Sequence, residues 1–244
     1  KRDREELLPL AAAEVVRGLL QRGIEVGHGG RGVEIDDRVQ VERIDDDAAP
    51  ELALPEEVDV RVQEWSLTRK GEGYEARITA REFDYALRLR PAQPLLLQGE
   101  GGFSRKGPDS RQASYYYSRP HLEVSGSATI KGKKIELTGT AWLDHEWSSE
   151  ALAAEAAGWD WVGLNLADGG ALMVFRMRDR KGGIYWAGGT HRDGTGRMRV
   201  FRPDEIAFMP LRRWQSPRTQ AAYPVAMRIR AGTMELVLEP GMDD

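Results

Sequence analysis

From residue 58 onward the chain alternates apolar and polar residues in short segments, and glycine turns separate these segments. Alternation with a period of two is the pattern of β-strands that have one buried face. The predicted strands are 58–68, 74–80, 83–90, 122–130, 135–147, 159–166, 171–178, 184–191, 198–201, 222–230 and 233–238. Gly132 and the Gly169-Gly170 pair lie between neighbouring segments, as hairpin turns require. We therefore predict an all-β domain with the antiparallel arrangement of a sandwich or barrel.

The first 57 residues follow a different pattern. Apolar positions recur at helical spacing over residues 3–22, which predicts an amphipathic helix. An acidic segment follows over residues 34–57, and its alternation allows one or two short strands. The predicted organisation is thus a divergent N-terminal extension over 1–57, with a helix and an acidic segment, followed by a β-barrel domain over 58–244.

The composition excludes several classes of function. Lys plus Arg number 35 and Asp plus Glu number 39, so the net charge of −4 predicts no nucleic-acid groove. No apolar run reaches the roughly 18 residues of a membrane span, and no transmembrane segment is predicted. There is no cysteine, which removes disulfides, iron–sulfur clusters and thiol nucleophiles. The glycine-rich run 98–108 lacks the Gly-Lys-Ser/Thr ending of a phosphate-binding loop, and we predict no cofactor.

Tryptophan is unevenly distributed, since five of the seven lie between Trp142 and Trp186. In segment 135–147 the period of two places His145 and Trp147 at the end of the apolar, inward face, with Asp144 outward or at the rim. His145 has two explanations, a structural histidine held by a backbone carbonyl or a polar group at a ligand cavity that acts as donor or base. The acids beside it have no second histidine nearby, so we predict a solvated edge and no metal.

Two further segments carry aromatic candidates for a cavity wall. Trp159, Trp161 and Asn165 share one face of segment 159–166, which suits a cavity wall as well as it suits core packing. In the run of three tyrosines, Tyr115 and Tyr117 share one face and the middle tyrosine takes the other. Whichever set faces inward brings phenol hydroxyls to the interior.

One motif is highly specific, Ala-Trp-x-Asp-His-Glu-Trp-Ser at residues 141–148. Further motifs lie at residues 97–107, 113–118, 158–161, 172–175, 214–217 and 242–244. Together these motifs resemble those of the AttH-like family, lipocalin-like proteins that are related to carotenoid hydratases and lipocalin-like pericyclases and are often described as predicted secreted hydrolases. The resemblance implies a lipocalin-like (calycin) antiparallel β-barrel with an apolar pocket. It also implies two consecutive barrels, with this chain ending where the first gives way to the second.

In the hydratase branch of this family the histidine and tryptophan of a His-x-Trp element line the pocket, and these positions correspond to His145 and Trp147. That branch also uses an aspartate on a following strand as acid. Here residues 171–178 contain no acid, so carotenoid hydratase activity is not expected. The first 57 residues contain no Trp, Tyr or Phe. The pocket is therefore open, completed by a second barrel domain or a partner chain, or lost.

These observations together predict a protein that binds an isoprenoid- or lipid-like apolar small molecule, with hydratase-, isomerase- or hydrolase-type chemistry as an extension. The candidate catalytic residues are His145 and Asp144. The candidate substrate-binding residues are Trp147, Trp159, Trp161, Tyr115, Tyr117 and Asn165. The alternative is a non-catalytic periplasmic ligand-binding or export-accessory protein. The resemblance implies a periplasmic or secreted location, and nothing in the residues excludes the cytoplasm.

Overall fold

The computed structural model describes residues 58–148 and 153–241, together with the backbone of strand β1 (Ile24–His28). The predicted helix over 3–22 and the acidic segment over 34–57 lie outside the described residues. What is described is almost entirely β-structure, with one short 3₁₀ helix at Pro203–Glu205. Within these residues no helix has the length and apolar character that a membrane crossing requires. The predicted all-β fold class is confirmed.

The chain divides into two compact units, and the first comprises residues 58–96 and 118–144 among those described. Its strands are β2 (Asp59–Val62), β3 (Trp65–Lys70), β4 (Gly73–Thr79) and β5 (Phe83–Pro91), with parts of β8 (Ala113–Ile130) and β9 (Lys133–Trp147). The strands pair in the order β2-β3-β4-β5-β8, and β9 also pairs with β8. Because alternate side chains point to one side, one face of each strand builds the core. The buried core residues are Tyr74, Ala76, Ile78, Tyr85, Leu87, Leu89, Leu122, Val124, Ala128 and Ala141.

The second unit comprises residues 97–117 and 145–241 of the described chain. Its strands are β7 (Phe103–Arg105), β10 (Ala156–Asn165), β11 (Ala171–Asp179), β12 (Ile184–Arg192), β13 (Met198–Phe201), β14 (Ile206–Gln215), β15 (Ala222–Ala231) and β16 (Met234–Leu238). They form a sheet of order β1-β10-β11-β12-β13 and a sheet of order β14-β15-β16, while β7 pairs with β8. The two-residue strand β6 (Leu96–Leu97) falls at the division between the units and also pairs with β8. Residues 171–175 of the central strand β11 are all buried, as expected for a strand covered on both faces.

Most of the predicted strands are present, and the departures have local causes. The hairpin across residues 168–170 is confirmed, with Trp161 opposite Phe175 in the β10–β11 register. The single strand predicted over 58–68 is wrong, because Gln63 adopts a left-handed φ of 53° and a turn separates β2 from β3. Strand β14 was not predicted, since Pro210 interrupts its pattern. Proline is tolerated there because β14 is an edge strand.

The second unit contains a buried ionic cluster between neighbouring strands. Asp160 on β10 lies opposite Arg176 on β11, and the two side chains form an ion pair through Oδ2. The Nε of Arg178 lies 3.4 Å from the same oxygen. Arg176 also donates to the backbone carbonyl of Phe208 at 3.1 Å, which ties β11 to β14. Buried charges require such partners, because an isolated ion in the interior is very costly.

Candidate functional site

Strands β8 and β9 bring together four aromatic side chains, Tyr115, Tyr117, His145 and Trp147, here called the tyrosine–histidine cluster. The Tyr117 hydroxyl lies 2.8 Å from Nδ1 of His145, and the two rings meet edge to face at 5.1 Å. Tyr115 stacks on Trp147 with centroids 5.8 Å apart, and His145 lies 5.1 Å from the same indole. The period of two had predicted that these residues share faces of their strands. The polar partner of His145 is thus a tyrosine hydroxyl.

The environment of His145 favours its neutral form. The side chain is half-buried, and desolvation lowers its pKa below the usual 6.5. In a neutral imidazole one ring nitrogen donates and the other accepts. The Tyr117 hydroxyl can pair with Nδ1 in both tautomers, because a phenol donates as well as accepts. The His145 side chain is therefore neutral at neutral pH.

We expect an NMR titration of the histidine ring protons to give His145 a midpoint below 6.5, with the signal assigned through a His145→Gln variant. Because the folded protein then binds this proton less tightly than the unfolded chain does, the free energy of unfolding falls as the pH decreases through that value. The His145→Gln variant should lose part of this pH dependence. A midpoint at or above 6.5 would show that burial does not control this group.

Asp144, the second candidate catalytic residue, lies on the opposite face of β9 from His145. Its Oδ1 accepts hydrogen bonds from Ser118 Oγ at 2.5 Å and from Trp142 Nε1 at 2.7 Å, and the residue is exposed. Adjacent residues of a strand point to opposite faces, as the sequence pattern predicts for Asp144 and His145. A catalytic role for these residues stays a prediction.

The second unit contains a cavity of about 340 Å³. Its apolar walls are six large side chains, Tyr116, Trp147, Trp159, Trp161, Phe175 and Met177. The hairpin register explains four of them, because β10 and β11 place Trp159 opposite Met177 and Trp161 opposite Phe175. Trp161 donates from Nε1 to the Tyr116 hydroxyl at 3.0 Å, which satisfies the indole N–H. Trp159 is 42% exposed, so this part of the wall is accessible to solvent.

One wall of the cavity carries an ion pair. Nζ of Lys106 lies 2.8 Å from Oε1 of Glu146, and it donates to Ser104 Oγ at 3.1 Å. The same ammonium lies over the Phe175 ring, 4.3 Å from its centroid, and 4.8 Å from that of Tyr116. Cation–π contacts of this length stabilise a partly desolvated cation. The charged group is therefore held against the aromatic wall.

The structure separates the candidate substrate-binding residues into two groups. Trp147, Trp159 and Trp161 line the cavity, whereas Tyr115 and Tyr117 belong to the tyrosine–histidine cluster. Asn165 lies at the end of β10 opposite Ala171 and does not line the cavity. Whether any of these side chains contacts a substrate stays a prediction.

Sequence reasoning did not identify several residues that line the cavity, namely Lys106, Tyr116, Glu146, Phe175 and Met177. The predicted hairpin contained the signal for the last two, because its register aligns them with the tryptophans of β10. No comparable signal joins Lys106 to Glu146, which are 40 positions apart. Among the described side chains, no cluster of three or more His, Asp, Glu or Cys is suited to a metal ion.

Comparison with known families identifies the chain. The AttH-like family model matches residues 33–244. The chain belongs to the AttH-like family. The match begins at residue 33, so the whole predicted acidic segment over 34–57 also aligns with AttH-like proteins. No curated protein matches this AttH-like chain.

Two crystal structures are similar to this AttH-like chain. A protein assigned as an AttH from Nitrosomonas europaea is 52% identical with a TM-score of 0.75, over 76% of this chain and 58% of that one. Kievitone hydratase from Nectria haematococca is 16% identical with a TM-score of 0.64, over 77% of this chain and 59% of that one. The chain thus spans less than two thirds of the length of either protein. At such low identity the second likeness shows the fold alone. The predicted lipocalin-like fold is confirmed.

Proposed function

We propose that this AttH-like chain binds an apolar, isoprenoid- or lipid-like small molecule in the cavity of the second unit. The observation that carries the proposal is the cavity of about 340 Å³, which has aromatic and thioether walls and one wall with an ion pair. Sites for small molecules commonly have volumes of about 300–1,000 Å³, with mostly apolar walls and a few polar groups. Trp159 adds a solvent-accessible indole to the wall, where it can contact a ligand.

The tyrosine–histidine cluster supports this choice of site because its side chains contact one another. Tyr117 is buried, and its hydroxyl is already paired with His145. The ring of Tyr115 stacks on the indole of Trp147. Trp147 belongs to both groups, so the cluster holds one wall of the cavity in place. We assign His145 and Tyr117 this positioning role in the proposal.

The test is binding of Nile red, an uncharged dye whose fluorescence rises in apolar surroundings. We expect the wild type to bind it, and Trp159→Ala to weaken binding about tenfold, because burying an aromatic ring against a ligand contributes on the order of 1.5 kcal/mol. The fold should tolerate this change, since Trp159 is already exposed. Trp214→Ala on β14 is the matched control, because this tryptophan does not line the cavity. If both variants weakened binding equally, or if neither variant weakened it, the proposed site would be refuted.

A second candidate is hydratase-type chemistry in the same cavity, which is favoured by the fold shared with kievitone hydratase. Addition of water to an alkene places a proton on one carbon and a hydroxyl on the other, and aromatic faces stabilise the intermediate cation. The walls of the cavity supply such faces. Incubation with the terpene myrcene, followed by mass spectrometry for a product one water heavier, tests this candidate. Binding without such a product supports the non-catalytic ligand-binding or export-accessory role, in the periplasm or outside the cell.

A further inference from the structure

We propose that the cavity selects apolar molecules that carry a neutral hydroxyl group, and that it discriminates against the corresponding carboxylates. The inference rests on the proposed function and adds the chemical class of the ligand. It comes from two polar side chains of the cavity wall, Glu146 and Gln112, each of which has one atom engaged by the protein and one atom left for a ligand.

Glu146 presents a hydrogen-bond acceptor. Its Oε1 receives two donors, Lys106 Nζ at 2.8 Å and Ser114 Oγ at 2.5 Å. Its Oε2 makes no hydrogen bond to any residue that the structure describes. Because the ion pair and the serine hold Oε1, the carboxylate is oriented before a ligand arrives. Oε2 can therefore accept a hydrogen bond from a bound O–H.

Gln112 presents a hydrogen-bond donor. Its Oε1 accepts from the Tyr185 hydroxyl at 2.9 Å and from the backbone N–H of Asp109 at 3.3 Å, which leaves Nε2 without a partner in the described part of the chain. Gly107 packs closely against this amide, since a Cβ at that position would come within 1.9 Å of Oε1. The amide is thus confined, and its N–H groups remain to donate to a ligand oxygen.

A hydroxyl group can pair with either atom, because it donates one hydrogen bond and accepts others. A hydrocarbon would cover Glu146 and Gln112 without pairing them, which is unfavourable for buried polar groups. A carboxylate would meet the negative charge of Glu146, and the charge of Lys106 is already compensated by that residue. The cavity therefore ranks an alcohol above both the hydrocarbon and the acid of the same carbon skeleton.

The experiment is displacement of Nile red from the full chain by geraniol, geranic acid and myrcene, which share a ten-carbon isoprenoid skeleton. Hydrogen bonds that involve a charged group contribute enough for about tenfold in affinity or more, so geraniol should displace the dye at about one tenth of the concentration of either competitor. Equal displacement by the three compounds would overturn the selectivity while leaving the binding proposal intact. Failure of the wild type to bind Nile red would overturn both.

Two variants locate the selectivity in the cavity wall. Glu146→Gln removes the negative charge that would repel a carboxylate, so geranic acid should gain at least about tenfold relative to geraniol. Gln112→Leu removes the donor without a change of charge, and it should reduce the advantage of geraniol over myrcene. Glu235→Gln is the matched control, because this exposed carboxylate lies on the β15–β16 hairpin, where it pairs with Arg228 at 3.5 Å. An unchanged ranking in Glu146→Gln would contradict the inference, as would the same shift in the control.

Discussion

Replacing Asp160 by alanine is expected to lower the free energy of unfolding by about 3–5 kcal/mol, the usual cost of removing one partner of a buried ion pair. The Asp160 side chain is 4% exposed and that of Arg176 is 15% exposed, so neither charge is well solvated. The substitution would leave the guanidinium of Arg176 without its anion and would also remove the partner of Arg178. Urea unfolding followed by tryptophan fluorescence measures this loss.

Two companion variants separate the ion pair from general disruption of β10. The double variant Asp160→Leu with Arg176→Met should recover much of the lost stability, because packed apolar side chains commonly replace a buried ion pair without cost. Glu235→Ala removes one partner of an exposed pair and should cost less than about 1 kcal/mol. A loss below about 1 kcal/mol for Asp160→Ala would show that the buried cluster contributes little to stability.

Replacing Phe175 by alanine is expected to lower the free energy of unfolding by about 3–5 kcal/mol. The ring is 5% exposed, and its removal enlarges an existing cavity. The ring lies directly against the backbone of β12 at Gly188, where a Cβ would come within 2.9 Å of it. It also supports the ammonium of Lys106 at 4.3 Å. The same side chain thus belongs to the core and to the wall of the proposed site.

Thermal or urea unfolding of Phe175→Ala and of Phe103→Ala measures the effect against a matched control. Phe103 on β7 is 37% exposed and does not line the cavity, so its truncation should cost about 1 kcal/mol or less. Equal losses in the two variants would contradict the buried position of Phe175. Nile red should also bind the Phe175→Ala variant more weakly, since the ligand loses one aromatic face.

The sequence predicted the fold class because most strands combine a clear period of two with glycine turns. The prediction failed where the backbone geometry lacked a sequence signal. Gln63 adopts the left-handed turn conformation that glycine usually adopts. Because no glycine marks this turn, the two strands were predicted as one. His121 also has a positive φ of 51° within β8, and Pro120 precedes it. These residues interrupt the alternation, so only the second half of β8 was predicted.

The candidate site was predicted only in part, because strand parity does not determine which strands pair. Strand parity correctly placed Trp159 and Trp161 on a common face, since parity depends only on neighbours along the chain. The residues opposite them depend on the pairing of distant segments, which parity does not determine. The contact between Lys106 and Glu146 is of this kind, because it joins β9 to the residue that follows β7. The alternation along each strand therefore identified side chains that share one face of that strand. The structure shows which strands together enclose the cavity.

The most direct test of the proposed binding site is a crystal structure of the protein with para-bromophenol, whose bromine can be located by its anomalous scattering. The compound combines an apolar ring with one neutral hydroxyl. We expect a bromine peak inside the cavity, between the side chains of Trp159 and Phe175. A peak beside Tyr117 and His145, or no peak at a saturating concentration, would refute the proposed binding site.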